Sequence, residues 1–293
     1  MKNIFFICFC ALFAFSGCAD DDDDLLTGGN VDIDLLPDAK PNDVVDPQVF
    51  EAINLNYPGL EKVKEFYEAG EHYYAANALL EYYRTRTNVT NPNLSLINVT
   101  ISEAEQAKAD YALVDYRFHV NNFYEDKETL KPYSVKQDGG INWEYSPKDA
   151  SDEYQKQLHR HQWFIPQAKA YRVSGDEKYI QSWIEVYKNW IENNPKPTTG
   201  PNTTSWWQLQ VSTRIGDQVQ LLEYFKNSVN FTPEWLSTFL VEFAEQADFL
   251  VGYPYESGGN ILISQANALA TAGTLMPEFK NAEKWMNTGY QIL

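Results

Sequence analysis

Beyond residue 50, apolar residues recur at three- and four-residue intervals over most of the chain, the spacing that lines one face of an α-helix. In "YPGLEKVKEFYEAGEHYYAANALLEYYR", Leu60, Val63 and Tyr67 fall on one stripe, Gly70 interrupts it, and Tyr74, Ala78, Leu79 and Tyr82 make a second. This segment predicts a helix hairpin. Another helix is expected to start at Ser102, because "SEAE" puts Glu105 three residues after a capping serine, where each side chain can bond the other's backbone N–H. Residues 117–150 hold turn formers and aromatics without a helical or alternating period and predict a long ordered loop.

Further helices are predicted at about 152–173, 176–194, 205–227, 232–251, 260–274 and from 280 to the end. Gly175, "NPKPTTGPN", "FTP" and "YPYESGG" separate them. Thr232 followed by Pro233 places a capping hydroxyl and a first-turn proline where Trp235, Phe239, Phe243 and Leu250 begin a stripe. No strand alternation of comparable length occurs, so the chain reads as all-α. Successive antiparallel helices with short loops fit either an α-solenoid or an (α/α) toroid, and periodicity does not choose between them. The absence of a constant repeat weighs against a tetratricopeptide array. The last helix reaches Leu293 with no stop signal, which would leave an apolar face without its hairpin partner; a longer parent protein is expected.

The N-terminus follows a different pattern. Lys2, the apolar run Ile4 to Phe15 and the small pair Ser16–Gly17 before Cys18 resemble a lipoprotein signal peptide over residues 1–18, with Cys18 as the lipid attachment site. An ordinary signal peptide with an incidental cysteine is the plainer alternative. Residues 19–49 contain ten aspartates, one basic residue (Lys40) and prolines 37, 41 and 47, and read as an acidic disordered tether. Acids directly behind a lipidated cysteine resemble the surface-export signal of Bacteroidetes lipoproteins. An outer membrane lipoprotein is expected, on the cell surface or the periplasmic face.

The 41 acidic and 23 basic residues give a net charge of −18, which argues against nucleic acid as a partner. Cys8, Cys10 and Cys18 are the only cysteines, so residues 19–293 have no thiol for a disulfide or a metal site. Phosphate-loop, dinucleotide, nucleophile-elbow and zinc-protease motifs are absent. His159 and His161, in "LHRHQW", would point to different faces of one helix; one is expected to be buried and the other exposed, with no shared metal. Arg160 and Arg214 lie in aromatic-rich segments, where a guanidinium can grip a carboxylate or sulfate, or else pair with one of the many internal acids. Trp143, Trp163, Trp206 and Trp207 have faces suited to sugar rings, although helical aromatics are more often core.

In order, "NYPGLEKVKEFYEAGEHYYAANALLEYYR", "INWEYSP", "QLHRHQWFIPQAKAYRVSGDEKYIQSWIEVYKNWIENNP", "WWQLQVSTR" and "GNILISQANALATAGTLMPEFKNAEKW" resemble the N-terminal helical half of the heparinase III family of polysaccharide lyases, from about residue 50 to the end. The resemblance implies an incomplete (α/α) toroid at 50–293, truncated before the family's antiparallel β-sandwich. It implies β-elimination on a uronate-containing glycosaminoglycan, usually heparan sulfate, with no cofactor and no metal. Asn260 then matches the family's catalytic asparagine, which neutralises the uronate carboxylate. Asn142, Arg160, Trp206 and Arg214 match positions lining the cleft. The catalytic tyrosine and histidine are expected beyond Leu293, so residues 1–293 alone are expected to be inactive. Ile261, where the family often has His or Trp, and the acidic body depart from the pattern and leave the substrate less secure than the reaction.

Read locally, Asn260 is a helix cap. A surface-anchored, non-catalytic glycan-binding lipoprotein of SusD type remains the alternative. A toroidal glycoside hydrolase would need a pair of carboxylates that nothing in the spacing singles out.

Overall fold

Thr232 does what its position predicts: its hydroxyl accepts from the Trp235 N–H, and Pro233 opens a twenty-residue helix. Ser102 and Glu105 form the expected reciprocal cap. The computed structural model describes residues 41–120, 125–148 and 151–293, all in one unit beginning at Ala39. The signal peptide, Cys18 and most of the acidic tether lie outside the described residues.

A 3-10 turn at Asn42–Val44 leads into α1 (Gln48–Ala52), α2 (Glu61–Glu68), α3 (His72–Thr85) and α4 (Glu103–Ala112). A hairpin follows, β1 (Lys136–Gln137) and β2 (Gly140–Ile141), then α5 (Glu153–Leu158), α6 (Phe164–Ser174) and α7 (Lys178–Asn193). The chain finishes with α8 (Gln208–Phe225), α9 (Pro233–Gly252), α10 (Gly259–Leu275) and α11 (Ala282–Ile292). Helices α6, α8 and α10 lie side by side, and each packs against the antiparallel helix that follows it. This stack of hairpins is the all-α, incomplete (α/α) toroid.

Four local expectations need correction. Packing begins before residue 50: Val45 and Val49 are buried, so the end of the acid-rich segment belongs to the body. On α3 the inward stripe is Tyr73, Ala76, Leu79, Leu80 and Tyr83, while Tyr74, Ala78 and Tyr82 flank it half-buried; the helix is apolar on adjacent stripes, and its neighbours choose between them. The helix expected at 152–173 is two helices, separated at His161, whose φ of 59° is left-handed. Within the 117–150 loop, Asp138 and Gly139 both have positive φ and turn the short β1–β2 hairpin, as a two-residue primed turn requires.

Trp163, Trp183, Trp190, Trp206, Trp235 and Trp285 are all fully buried, and one apolar cluster spans the hairpins. Helices α10 and α11 approach by backbone. A Cβ on Gly289 would meet Ala266 O at 2.5 Å and Ala270 N at 2.6 Å. Gly289→Ala is expected to cost about 2 kcal/mol and lower the melting temperature by about 5 °C. Gly216, with open space around its missing Cβ, should instead gain about 0.5–1 kcal/mol on becoming Ala. Thermal unfolding of both variants checks the contrast; two shifts of the same sign would refute the packing account.

At the end of the bundle where α8 stops, polar side chains close the fold. Arg84 donates to the carbonyls of Lys226, Ser228 and Phe231. Arg86 bridges Glu278 at 2.8 Å and Glu223 at 3.0 Å, and Tyr82 donates to the same Glu278 oxygen. Ile53 and Phe279 form an isolated bridge, with Asn54 N–H on Glu278 O and Lys280 N–H on Ala52 O.

Candidate active site

The opposite end of the bundle gathers the residues nominated by sequence. Helices α6, α8 and α10 all start there, at Phe164, Gln208 and Gly259, and α7 and α9 end there. Gln208 donates to Tyr253 O, Gln265 donates to Leu250 O and Tyr253 O, and Trp206 Nε1 donates to Asn194 O. These bonds fix the 194–207 and 253–258 loops beside one another. None of the three helix starts has a side-chain cap bond. Their first N–H groups and the positive ends of their dipoles therefore converge on this end, a potential that favours anions.

Asn260 sits in the first turn of α10 and is exposed. It does not cap the helix, contrary to the local reading. Gly258 (φ 69°) and Gly259 (φ 76°) make the entry turn, so the cap position falls on Gly258 and the Asn260 amide is free of that bond. Along α10, Asn260 heads a polar stripe continued by Ser264, Asn267, Thr271 and Thr274. The last four face Ser212 and Asp217 of α8 across a groove of about 580 Å³. The groove runs along the flanks of the helices, and Asn260 stands one turn beyond its mouth.

Arg214 is 1% exposed and serves the scaffold. Its Nη1 donates to His159 O and Ser205 O at 2.8 Å, its Nε donates to Gln246 at 2.9 Å, and its guanidinium lies 4.3 Å from the Trp190 ring centroid. Neither expected role, substrate contact or internal ion pair, describes it. It ties together the two loops that carry Arg160 and the Trp206–Trp207 pair. Trp206 is likewise core, 1% exposed; of the pair, Trp207 is the half-buried one, with Lys156 Nζ 6.0 Å from its ring centroid. The helix starts only after Trp207, and sequence spacing alone does not say which indole faces in.

Asn142 follows β2 and spends its side chain locally. Its Nδ2 donates to Gln137 at 2.6 Å, and its Oδ1 accepts from Glu144 N–H. The adjacent Trp143 donates to Asn189 near the end of α7, which brings Asn142 to the same end of the bundle. Arg160 is half-buried and borders a small internal void that Arg214 also lines. Geometry thus leaves Asn260 and Trp207 as the exposed and half-exposed candidates, with Arg214 and Trp206 beneath them.

Both His159 and His161 are buried, since the break at His161 removes the helical geometry that would have placed one outside. His159 Nδ1 accepts from Trp190, and His161 is ringed by Trp143, Trp163, Tyr187 and Trp190. Burial, reinforced by Arg214, pushes His159 down to about 3 and His161 well below the usual imidazole value. Burial, with Lys108 nearby, pushes His119 down to about 4. Two acids absent from the sequence reading move the other way: burial raises Asp217 to about 7 and Glu242 to about 8. Only the structure brings them out, because their neighbours come from other helices.

These shifts set a pH optimum for stability. Asp217 and Glu242 hold protons in the folded chain after the unfolded chain has lost them, so their contribution is complete below the ordinary carboxyl values and is lost as pH rises through about 7 and 8. The three depressed histidines act in reverse, and stability falls as pH drops below 6.5. The melting temperature is expected to peak near pH 6 and decline toward pH 8.5, with Asp217→Asn flattening the alkaline limb. A limb unchanged in that variant would show that Asp217 is not responsible.

The heparinase II/III N-terminus profile matches residues 49–293, and the chain belongs to that family. It is 41% identical over 264 residues to a heparin-sulfate lyase of Bacteroides stercoris, covering 84% of this chain and 38% of that protein. It is 35% identical over 252 residues to a heparin-sulfate lyase of Pedobacter heparinus, covering 83% and 36%. Among solved structures, a heparinase III gene product with methylated lysines superposes with a TM-score of 0.76 at 38% identity, covering 85% of this chain and 40% of that one. A heparan sulfate lyase of Pedobacter heparinus gives 0.73 at 33% identity, covering 84% and 38%. The chain thus spans well under half the length of the curated relatives it matches.

Proposed function

We propose that this chain is the helical N-terminal part of an exported polysaccharide lyase that cleaves a uronate-containing glycosaminoglycan, heparan sulfate foremost, by β-elimination. The observation that carries the reading is the family match, which runs through the Gly259–Asn260 helix start. In the proposed reaction Asn260 donates its amide N–H to the uronate carboxylate as enolate charge develops there, a role that an uncommitted amide at a helix start suits. A base removes the C5 proton, the bond from C4 to its glycosidic oxygen breaks, that oxygen leaves as a protonated alcohol, and the product keeps a C4–C5 double bond. The base and the leaving-group acid are assigned, through the family resemblance, to a tyrosine and a histidine beyond Leu293. Residues 1–293 alone are then inactive.

The exposed first-turn N–H groups of α10, which has no side-chain cap, support a polyanionic ligand in spite of the overall charge of −18. Trp207 adds a ring face at the same end of the bundle. The Ser16–Gly17–Cys18 sequence supports a lipid anchor at Cys18 and an outer-membrane location. Incubating the full-length gene product with heparan sulfate, hyaluronan and alginate tests the chemistry through ultraviolet absorbance of the unsaturated uronate. Absorbance on heparan sulfate is expected; none on any of the three removes the lyase reading.

A further inference from the structure

Arg214 is a buried cation held by neutral groups. Among the described residues no carboxylate pairs with it: Nε meets the Gln246 amide oxygen and Nη1 meets two backbone carbonyls. Glu242 acts on it at a distance without touching it, with Gln246 between them donating its Nε2 to Glu242 Oε1 at 2.9 Å. Burial pushes the Glu242 carboxyl up to about 8, so near neutrality that group is mostly uncharged. An uncompensated charge in a protein interior is costly, and burial correspondingly pushes Arg214 down to about 10.

One nitrogen of the guanidinium, Nη2, is buried and has no partner. Arg214 lines a void together with Arg160, His161, Phe164, Tyr187, Asp217 and Gln218. His161 Nε2 and Gln218 Oε1 are also buried without partners, and both residues are 3% exposed. Its volume is about 10 Å³, no more than a single small occupant needs.

The sign of that occupant follows from the hydrogen bonds. Tyr187 OH receives N–H groups from both Gln246 and Gln218, which leaves its own proton without an acceptor. Turning the Gln218 amide by 180° lets Oε1 accept from Tyr187 and presents the NH2 where the unpartnered oxygen stood. His161 is neutral and can carry its proton on Nε2. The void then meets three donors, Arg214 Nη2, Gln218 Nε2 and His161 Nε2. Among the described residues the one carboxyl lining the void is Asp217, which burial raises to about 7.

We propose that this void is a halide site in which one chloride ion, held by Arg214, Gln218 and His161, neutralises the buried guanidinium. The site is independent of the lyase reading. Its occupancy stiffens the contacts of Arg214 to His159 O and Ser205 O, and through them the loops bearing Arg160 and Trp207.

Two measurements test the site, both on the full chain. Crystals grown or soaked in sodium bromide should show an anomalous peak in the void, within hydrogen-bond distance of Arg214 Nη2. Thermal unfolding at pH 6.5 should give a melting temperature about 3 °C higher in 100 mM sodium chloride than in sodium gluconate of equal ionic strength. Arg214→Met, which keeps the bulk and removes the charge, should erase the difference between the salts. A scatterer in the void without anomalous signal, or equal melting temperatures in the two salts for the parent chain, overturns the proposal. The crystallographic arm uses the parent chain and so stands even if the variant fails to fold.

Discussion

Asn260→Ala in the full-length protein is expected to lower kcat on heparan sulfate about 10²–10³-fold while the melting temperature stays within about 1 °C of the parent. The activity loss is the usual cost of removing one donor aimed at a developing oxyanion. The unchanged stability follows from the geometry: Asn260 is exposed and makes no cap bond, so truncating it removes nothing from the fold. Initial rates by ultraviolet absorbance, paired with thermal unfolding, separate the two effects. Full activity in the variant would reject Asn260 as a catalytic residue. A fall in activity matched by a fall in stability would make it structural.

The second large effect is expected at Arg86. Glu278 is fully buried, and its Oε1 is held by Arg86 and Tyr82. Arg86→Ala strands that carboxylate without its buried cation, a change that costs about 3–5 kcal/mol when a buried pair is broken from one side. A melting temperature lower by roughly 10 °C should result. Replacing both partners, Arg86→Met with Glu278→Leu, should recover much of the loss, because no charge then remains to be desolvated. Denaturant unfolding of the three chains measures this. A loss under about 1 kcal/mol for Arg86→Ala would mean that water reaches Glu278 once the arginine is gone.

How much of this was legible in the sequence depended on whether a signal was local. The Ser102–Glu105 box and the Thr232–Pro233 start were legible, since each depends only on residues within one turn. Helix positions from 178 onward were also legible, because Gly and Pro punctuate them. The break at His161 was not: "LHRHQW" holds no Gly or Pro, and the left-handed residue is held in place by five surrounding rings from several elements. The choice between Tyr73 and Tyr74, or between Trp206 and Trp207, likewise depends on which neighbour arrives from elsewhere.

For the site, the family blocks named candidate residues, yet sequence could not grade them by depth. Arg214 and Trp206 looked as available as Asn260 and are both 1% exposed. Asp217 gave no signal at all, since its shift arises from desolvation by neighbours that the fold brings around it.

The pairing of residues 52–54 with 278–280 bears on the order in which the chain can fold. Two hundred and more residues must be synthesised before the first buried segment meets its partner, and closing so long a loop is slow. Phe50 meets Tyr67 and His72 of the next two helices early, whereas Ile53 waits for Phe279, so the N-terminal hairpin can form first and the seam that joins it to the last hairpin closes late.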